Sequence, residues 1–367
     1  MTQSRPTLDT AAPATSATGP RPKLPRDDRE LVIARLFDAP RELVFEAYTD
    51  IEAKSQWWGP HGFTTTTHAA DVRPGGAWRF TMHGPDGTDY PNRVVFREIV
   101  PPERLVYDHD DDGEARGVEV RTRFVAEIDF EERGNQTLVT LRQRWPSAEV
   151  LAAKEAAVGA LAGGQQTLQR LAQHLARIAP DRVAPPRRVM TVAFASDREL
   201  VVMRPFAATP QEVFDAFVTP DAFARWWGPS DVENVACDFD PRAGGAWRLV
   251  QRGADGVEHV LSGTYREVVP AERLVMTWRV SQPGGDVEAR GDGDARSNDE
   301  AGRQGATGRD DDELRLTVTF TEVAGETMLG IRTLHPDRAS LEHDWRHGQP
   351  QGSEQALDRL AEVLGER

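Results

Sequence analysis

The chain has one cysteine, no long apolar run and no excess of basic residues, and each shortage excludes a class of protein. Cys237 alone can form no disulfide within the chain and offers no thiolate cage for a metal, and it fits a reducing compartment. No stretch approaches the ~18 apolar residues of a membrane-spanning helix. The formal net charge of -15 argues against a broad surface for nucleic acid or anionic membranes, because phosphate binding needs clustered Lys and Arg. We therefore expect a cytoplasmic protein with no nucleic-acid partner and no membrane span.

The length and composition indicate two folded units. The chain has 367 residues, long for a single core, and 39% of them are hydrophobic, so both halves can bury a core. Residues 1–28 are rich in Thr, Ala and Pro and lack the apolar segment of a signal peptide. We predict a disordered tail there.

An internal repeat sets the architecture. The motif Trp57-Trp58-Gly59-Pro60 recurs as Trp226-Trp227-Gly228-Pro229, an offset of 169 residues. Residues 75–79 recur as 244–248, and 97–105 recur as 266–274, at the same offset. Motifs that recur in fixed order at a constant offset indicate a duplicated domain.

The repeat predicts the domain boundaries. Domain 1 is expected over residues 29–178 and domain 2 over residues 199–367, joined by a proline-containing linker at 179–198. Domain 2 carries an insertion of about 20 residues within about 281–312, rich in Gly, Asp, Arg and Ser. Such a segment buries too little apolar surface to offset the entropy of ordering, so we predict a flexible acidic loop.

Both copies show the same pattern of secondary structure. An opening strand is followed by a helix whose start is marked by Pro40 or by Thr209-Pro210, and by a second short helix. About six strands with alternating apolar residues come next, and Asp86-Gly87 marks a hairpin turn. A helix with one leucine stripe closes the domain. Strands bracketed by helices predict an α+β domain, with helices on one face of a curved sheet and a concave space between them.

These motifs carry a resemblance to a known family. The order of the Trp-Trp-Gly-Pro block, the block at 71–80 and the block at 96–106 resembles homologues of the heat-shock-protein-90 ATPase activator. That family lies in the START-like (SRPBCC, helix-grip) superfamily, and the resemblance covers nearly all of residues 30–178 and 199–365. It implies a helix-grip, Bet v-like fold in two copies, a cavity between the sheet and the C-terminal helix, and a chaperone as one candidate partner. The superfamily hosts carriers, cyclases and co-chaperones, so the resemblance leaves function open.

Aromatic residues are the candidates for the wall of that cavity. Trp and Tyr supply large apolar area together with a polar group, although plain core packing explains any one of them. The candidates in domain 1 are Trp57, Trp58, Phe63, Trp78, Phe80, Phe96 and Tyr107. The candidates in domain 2 are Trp226, Trp227, Trp247, Tyr265 and Trp278.

Metal and phosphate motifs are present only in weak form. His343 and His347 have the i, i+4 spacing of a helical metal pair but are interpreted as surface histidines, and His83 alternates onto the strand face opposite Trp78. Residues 108–119 match the EF-hand loop pattern, yet strand-like segments flank them, so we interpret them as an acidic hairpin loop. The pairs at 75–76 and 244–245 precede strands and are expected to form tight turns. We predict no metal and no cofactor.

Three functions follow as hypotheses. The first is binding of an apolar, lipid-like or polyketide-like small molecule by a carrier or sensor module, through burial of the ligand's apolar surface. The second is a cyclase- or hydrolase-type enzyme that uses a polar cavity residue such as Tyr107 or His68, although no Ser/His/Asp or Cys/His set recurs in both copies. The third is a chaperone-associated interaction protein. Domain 2 departs from the family pattern at residues 231–234, so we expect the ligand in domain 1.

Overall fold

The computed structural model describes residues 19–111, 123–183, 188–281, 313–323 and 325–366. Most of the tail at 1–28, the acidic residues after position 111 and nearly all of the insertion predicted at 281–312 lie outside this part of the chain.

Domain 1 contains two short helices, a run of six strands and a helical C-terminal segment, after one opening strand. Its elements are β1 (Glu30–Phe37), α1 (Arg41–Thr49), α2 (Ile51–Trp57), β2 (Thr64–Ala70), β3 (Ala77–His83), β4 (Asp89–Val100), β5 (Arg104–Asp111), β6 (Arg123–Arg133), β7 (Gln136–Arg144), α3 (Ala148–Val158) and α4 (Ala160–Ile178). The order is the one that the sequence predicts. The helix α1 begins directly after Pro40, and the side chain of Asp50 caps α2 by accepting from two backbone amides, those of Glu52 and Ala53.

Domain 2 repeats this order after one additional strand. Its elements are β8 (Thr191–Ser196), β9 (Glu199–Phe206), α5 (Pro210–Val218), α6 (Pro220–Trp226), β10 (Val232–Phe239), β11 (Ala246–Gly253), β12 (Glu258–Val269), β13 (Arg273–Ser281), β14 (Leu314–Val323), β15 (Glu326–Leu334), α7 (Arg338–Arg346) and α8 (Gln349–Val363). A capping box formed by Thr209 and Glu212 starts α5. The prediction of a duplicated α+β helix-grip fold is confirmed.

Each C-terminal helical segment is divided by a glycine, where the sequence predicts one helix. Gly159 has φ +59° between α3 and α4, and Gly348 has φ +95° between α7 and α8. Only glycine takes such left-handed angles at little cost, so the backbone turns there in both domains. The leucine stripe of α4 (Leu161, Leu168, Leu171 and Leu175) is buried, as predicted.

The glycine pairs make the tight turns that the sequence predicts. The amide of Gly75 donates to the carbonyl of Phe96 at 2.7 Å, and the amide of Phe96 donates to the carbonyl of Gly76 at 3.0 Å. The same two bonds recur between residues 244–245 and Tyr265. A Cβ on Gly76 would lie 2.1 Å from the carbonyl oxygen of Asp71, so the backbone approach requires glycine there. The pairs thus place β3 and β11 against the next strand.

One antiparallel sheet runs through both domains. Its 15 strands, counted over the described residues, follow the order β10-β11-β12-β13-β14-β15-β9-β8-β1-β7-β6-β5-β4-β3-β2. β8 joins the halves because it pairs with β1 on one side and with β9 on the other. It lies inside the segment 179–198 that the sequence predicts as a linker, so part of that segment belongs to the sheet.

The two cores lie on opposite faces of this sheet. Ile33 pairs with Ala193 and Ala193 pairs with Val201, and all three belong to the core of domain 1. The alternate residues of the same strands point to the other face. There Val32, Val192, Phe194, Leu200 and Val202 belong to the core of domain 2. The three central strands are therefore buried on both faces and are shared by the two domains.

Part of the predicted N-terminal tail is ordered by contacts with both domains. Arg142 donates to the carbonyls of Lys23 and Leu24, and Arg338 donates to the carbonyl of Pro25 at 2.9 Å. Leu24 packs against the core of domain 2. Residues 19–28 thus depart from the predicted disorder, because arginine side chains satisfy their backbone carbonyls and their apolar groups are covered. No helix of the described chain is long and apolar enough to cross a membrane.

Candidate functional site

The structure divides the predicted aromatic residues into a buried set and a partly exposed set. The buried residues are Trp57, Trp78, Phe80, Phe96, Tyr107, Trp226, Trp247 and Tyr265. The partly exposed residues are Trp58, Phe63, Trp227 and Trp278. Only the second set reaches the surface where a ligand could enter.

The first tryptophan of each Trp-Trp-Gly-Pro motif is held as part of the core. The indole N–H of Trp57 donates to the carbonyl of Ala47 at 3.2 Å, and that of Trp226 donates to the carbonyl of Ala216 at 2.9 Å. Both side chains are buried. A repeated bond from a buried indole to the preceding helix indicates a structural role in both domains.

A buried lysine lies among the aromatic residues of domain 1. Nζ of Lys54 is 4.4 Å from the ring centroid of Trp58 and 4.7 Å from that of Trp78. It is 5.6 Å from the centroids of both Tyr48 and Tyr107. We call these four rings the aromatic cage. One helix, the residue after α2 and two strands contribute the four rings, so the folded domain assembles a site that no single motif contains.

The amine of Lys54 lacks the partners that a buried cation normally has. The side chain is 0% exposed, and within the described residues no hydrogen-bond acceptor or ion-pair partner reaches Nζ. Burial alone lowers the pKa of Lys54 from its ordinary value of 10.5 to about 7. Burial also raises the pKa of Tyr107, so its phenol stays protonated at neutral pH. The cage therefore holds an amine that is partly uncharged near neutral pH.

Domain 2 has no such amine. The repeat offset aligns Lys54 with Phe223, whose ring stacks on that of Trp227 at 4.8 Å between centroids. Tyr107 aligns with Met276, which is buried. Domain 2 thus fills the equivalent space with apolar side chains that pack on one another.

The strand tryptophans also differ between the domains. Trp78 stacks on Phe80 with centroids 3.7 Å apart and donates to Oγ1 of Thr67 at 3.0 Å. Trp247 instead donates to the carbonyl of Thr277 at 3.1 Å and lies 4.8 Å from Trp278. Equivalent residues therefore make different contacts in the two domains.

Trp58 of the cage, Phe63 and Tyr90 are aromatic side chains of domain 1 that are partly exposed. The ring of Trp58 contacts Trp78 at 5.8 Å between centroids, and Phe63 contacts Tyr90 at 5.5 Å. We call Trp58, Phe63 and Tyr90 the aromatic rim. Trp58 lies between the buried amine and the surface, since it is partly exposed and also contacts Nζ of Lys54.

An arginine of the C-terminal helix holds the loop that carries the rim. Nη1 of Arg170 donates to the carbonyls of Trp58, Gly59 and Pro60 at 3.4, 3.0 and 2.9 Å. Arg359 of α8 contacts the three equivalent carbonyls of domain 2. The sequence alone does not reveal this role, although both arginines lie in the repeated C-terminal motif.

Replacement of Arg170 should loosen this loop. We expect Arg170→Gln to lower the free energy of unfolding by ~1–3 kcal/mol, because three partly buried carbonyls lose a charged donor. Urea unfolding would measure the change. Arg177→Gln is the matched control, since Arg177 lies on the same helix with an exposed side chain. An equal effect of the two variants would contradict the assignment.

The histidines contribute nothing to the cage. His68 is exposed and lies 2.8 Å from Oγ1 of Thr81, and His83 lies 2.6 Å from a carboxylate oxygen of Asp89. The rings of His343 and His347 stack at 4.0 Å, and Nδ1 of His347 lies 2.6 Å from the carbonyl of His343. In the described part of the chain, no group of three or more His, Cys, Asp or Glu is arranged to hold a metal ion.

The EF-hand-like pattern begins in a strand. Asp108 and Asp110 lie on β5 and form ion pairs with Arg97 and Arg123, at 2.6 and 3.0 Å. Residues 112–119 of the pattern lie outside the described residues. The first carboxylates are therefore engaged by arginines on the outer face of the sheet.

A surface pocket of about 540 Å³ lies close to these ion pairs, away from the cage. Its lining includes Arg93, Asp108, Asp110 and Arg123 together with the stacked pair His109 and Phe124. None of the predicted aromatic residues is among the described residues that line it. Apolar side chains such as Val95, Phe124 and Trp145 line it together with the ion pair of Asp110 and Arg123.

The fold places the chain in the class of helix-grip proteins, and comparison with known families identifies its family. Two copies of a helix-grip domain share one sheet, and a family model matches residues 38–176 and 207–365. The chain belongs to this family, described as "Activator of Hsp90 ATPase homolog 1-like protein". A comparison with curated proteins finds no match.

Solved structures also match parts of the chain. A protein from Arthrobacter aurescens is 25% identical, with a TM-score of 0.39, over 42% of this chain and 91% of that one. A protein from Rhizobium leguminosarum is 27% identical, with a TM-score of 0.32, over 40% and 94%. The AHSA1 protein of Silicibacter pomeroyi is 21% identical, with a TM-score of 0.34, over 41% and 99%.

Proposed function

We propose that domain 1 binds an apolar small molecule between its sheet and α4, as a carrier or sensor module. The observation that carries this proposal is the position of Trp58. Its side chain is partly exposed in the aromatic rim and also contacts the amine of Lys54 in the cage, which has no hydrogen-bond partner. Aromatic walls with few polar groups are typical of small-molecule sites. The closed cage holds its rings in contact, so a ligand enters by displacing Trp58 or its neighbours.

Domain 2 serves in this proposal as the partner that completes the sheet. Phe223 occupies the place of the lysine, and apolar packing fills the equivalent space. The central strands need both domains to cover their two faces. One binding site per chain is therefore expected.

The residues named for an enzyme support that hypothesis poorly. Tyr107 is buried and protonated, and His68 lies exposed on the outer side of the sheet. A general base must reach its substrate and be unprotonated near the working pH. Neither side chain meets both conditions, so binding accounts better for the site than turnover.

A binding experiment with a fluorescent fatty acid as the probe tests the proposal. We expect the full chain to bind about one probe and Trp58→Ala to weaken binding about tenfold, because an indole contact is worth over 1 kcal/mol. Trp227→Ala, the equivalent change in domain 2, is the matched control and should leave binding unchanged.

Two results would overturn the proposal. Equal weakening by both variants would remove the assignment to domain 1. Absence of probe binding, together with stimulation of a chaperone's ATPase by the chain, would favour the chaperone-associated role that the family's description names.

A further inference from the structure

Lysine is rare in this chain, and one of the few lysines is fully buried. The sequence contains three lysines, Lys23, Lys54 and Lys154, whereas arginine supplies the other 41 of its 44 basic residues. Lys23 is exposed and Lys154 is partly exposed. Arginine stays protonated in proteins, but a buried lysine can lose its proton and act as a nucleophile. At position 54, a lysine can therefore supply a neutral amine that an arginine could not.

Burial of Lys54 lowers the pKa of its amine and so favours the neutral form, against the attraction that the surrounding ring faces exert on a cation. Tyr48 from α1, Trp58 after α2, Trp78 from β3 and Tyr107 from β5 enclose Nζ. Within the described residues these groups include no carboxylate, and the two phenols are protonated because burial raises the pKa of each. Desolvation in an apolar site is one of the ways in which proteins activate a lysine for attack on carbonyl groups.

We infer that the ligand of domain 1 is an apolar aldehyde or ketone, and that Nζ of Lys54 forms an imine with its carbonyl carbon. This inference rests on the proposed function. The nitrogen lone pair attacks the carbonyl carbon, both hydrogens of the neutral amine leave with the carbonyl oxygen as water, and a C=N bond replaces the C=O bond. The step needs no oxidant or reductant.

A carboxylate is the alternative ligand. It would need the protonated amine and further hydrogen-bond donors for its two oxygens. The indole N–H of Trp78 already donates to Thr67, and the phenols of Tyr48 and Tyr107 are the other donor groups beside the amine. A carbonyl compound asks only for the neutral amine and an apolar wall.

Domain 2 provides an internal comparison. Phe223 takes the place of Lys54 and belongs to a buried aromatic cluster with Phe217 and Trp226. That domain cannot form the imine, so the inference predicts one reactive site per chain.

Reductive trapping tests the inference on the full chain. The protein is incubated with dodecanal and cyanoborohydride at pH 7, and the modified residue is located by peptide mass spectrometry. We expect one alkyl group per chain besides any on the terminal α-amine, at Lys54, with labelling at least tenfold faster than at Lys23 and Lys154. Lys54→Met should abolish this label, whereas Lys154→Met should leave it unchanged. Lys54→Arg should also abolish it, which separates nucleophilicity from positive charge.

A second measurement separates failure of the inference from failure of the proposed function. Dodecanol, which has no carbonyl, should displace the fluorescent fatty acid from the chain and slow the labelling of Lys54. Displacement by dodecanol without labelling of Lys54 would overturn the imine and leave apolar binding in place. Failure of both dodecanol and the fatty acid to bind would overturn the two together. A fatty acid that binds more tightly than dodecanol, and only with Lys54 present, would replace the imine with an ion pair.

Discussion

Lys54→Met should make the protein more stable. The variant replaces an unpartnered, fully buried amine with an apolar side chain of similar length, and an unsatisfied buried charged group costs on the order of 3 kcal/mol. Urea unfolding followed by tryptophan fluorescence at pH 6 measures the gain. Most substitutions of core residues are destabilising, so a gain of this size identifies a residue that is kept for a purpose other than stability.

The gain should depend on pH in a defined direction. The unfolded chain releases the proton of Lys54 near pH 10.5, whereas the folded chain releases it near pH 7. Between these values the unfolded state binds more protons, so the wild type becomes more stable as the pH rises, by up to ~1.4 kcal/mol per pH unit. The advantage of the variant is therefore largest below pH 7 and falls by roughly 2.7 kcal/mol between pH 6 and pH 9, which removes most of it.

Lys154→Met is the control for this prediction, because Lys154 is partly exposed. It should change the free energy of unfolding by less than ~0.5 kcal/mol at either pH. A Lys54→Met protein that is less stable than the wild type at pH 6, or that shows the same gain at both pH values, would contradict the assignment of a desolvated amine.

The sequence predicts much of the fold because the repeated residues make the same backbone contacts in both domains. The first tryptophan of each Trp-Trp-Gly-Pro motif donates to the preceding helix in both domains. The glycines at 76 and 245 allow the same close approach to an aspartate carbonyl. Few residue types can make these contacts. Two sets of such residues at a constant offset therefore specify two copies of one domain.

The buried lysine could not be predicted in the same way. Lys54 lies on a short helix beside Glu52 and Gln56, both exposed, and lysines on such helices usually face water. Its burial follows from rings of four separate segments that meet only in the folded domain. The repeat itself indicates that this position is buried. Phe223 is the residue of domain 2 equivalent to Lys54, and an aromatic ring at the equivalent position is typical of the core.

The shared sheet could not be predicted from either domain considered alone. Residues 191–196 follow a proline-rich segment and precede the first strand of domain 2, so they are interpreted as a linker when each copy is aligned separately. Their pairing with β1 depends on the other domain. Because the strand is covered on both faces, each core contributes to the stability of the other.

Phe194→Ala should therefore weaken both domains. Phe194 is 0% exposed on β8, contacts Trp345 at 4.9 Å between ring centroids and lies in the core of domain 2. Its truncation should cost ~3–5 kcal/mol through lost burial and the cavity that remains.

Amide hydrogen exchange distinguishes a shared sheet from two independent domains. Peptides from β9 should exchange faster in the Phe194→Ala protein, and so should peptides from β1, because both strands pair with β8. Phe194→Leu, which keeps most of the apolar volume, should show a smaller change of the same pattern. If β9 lost protection while β1 kept the exchange rates of the wild type, the two domains would not unfold together, and the continuous sheet would give no energetic coupling between the ligand-binding domain and its partner.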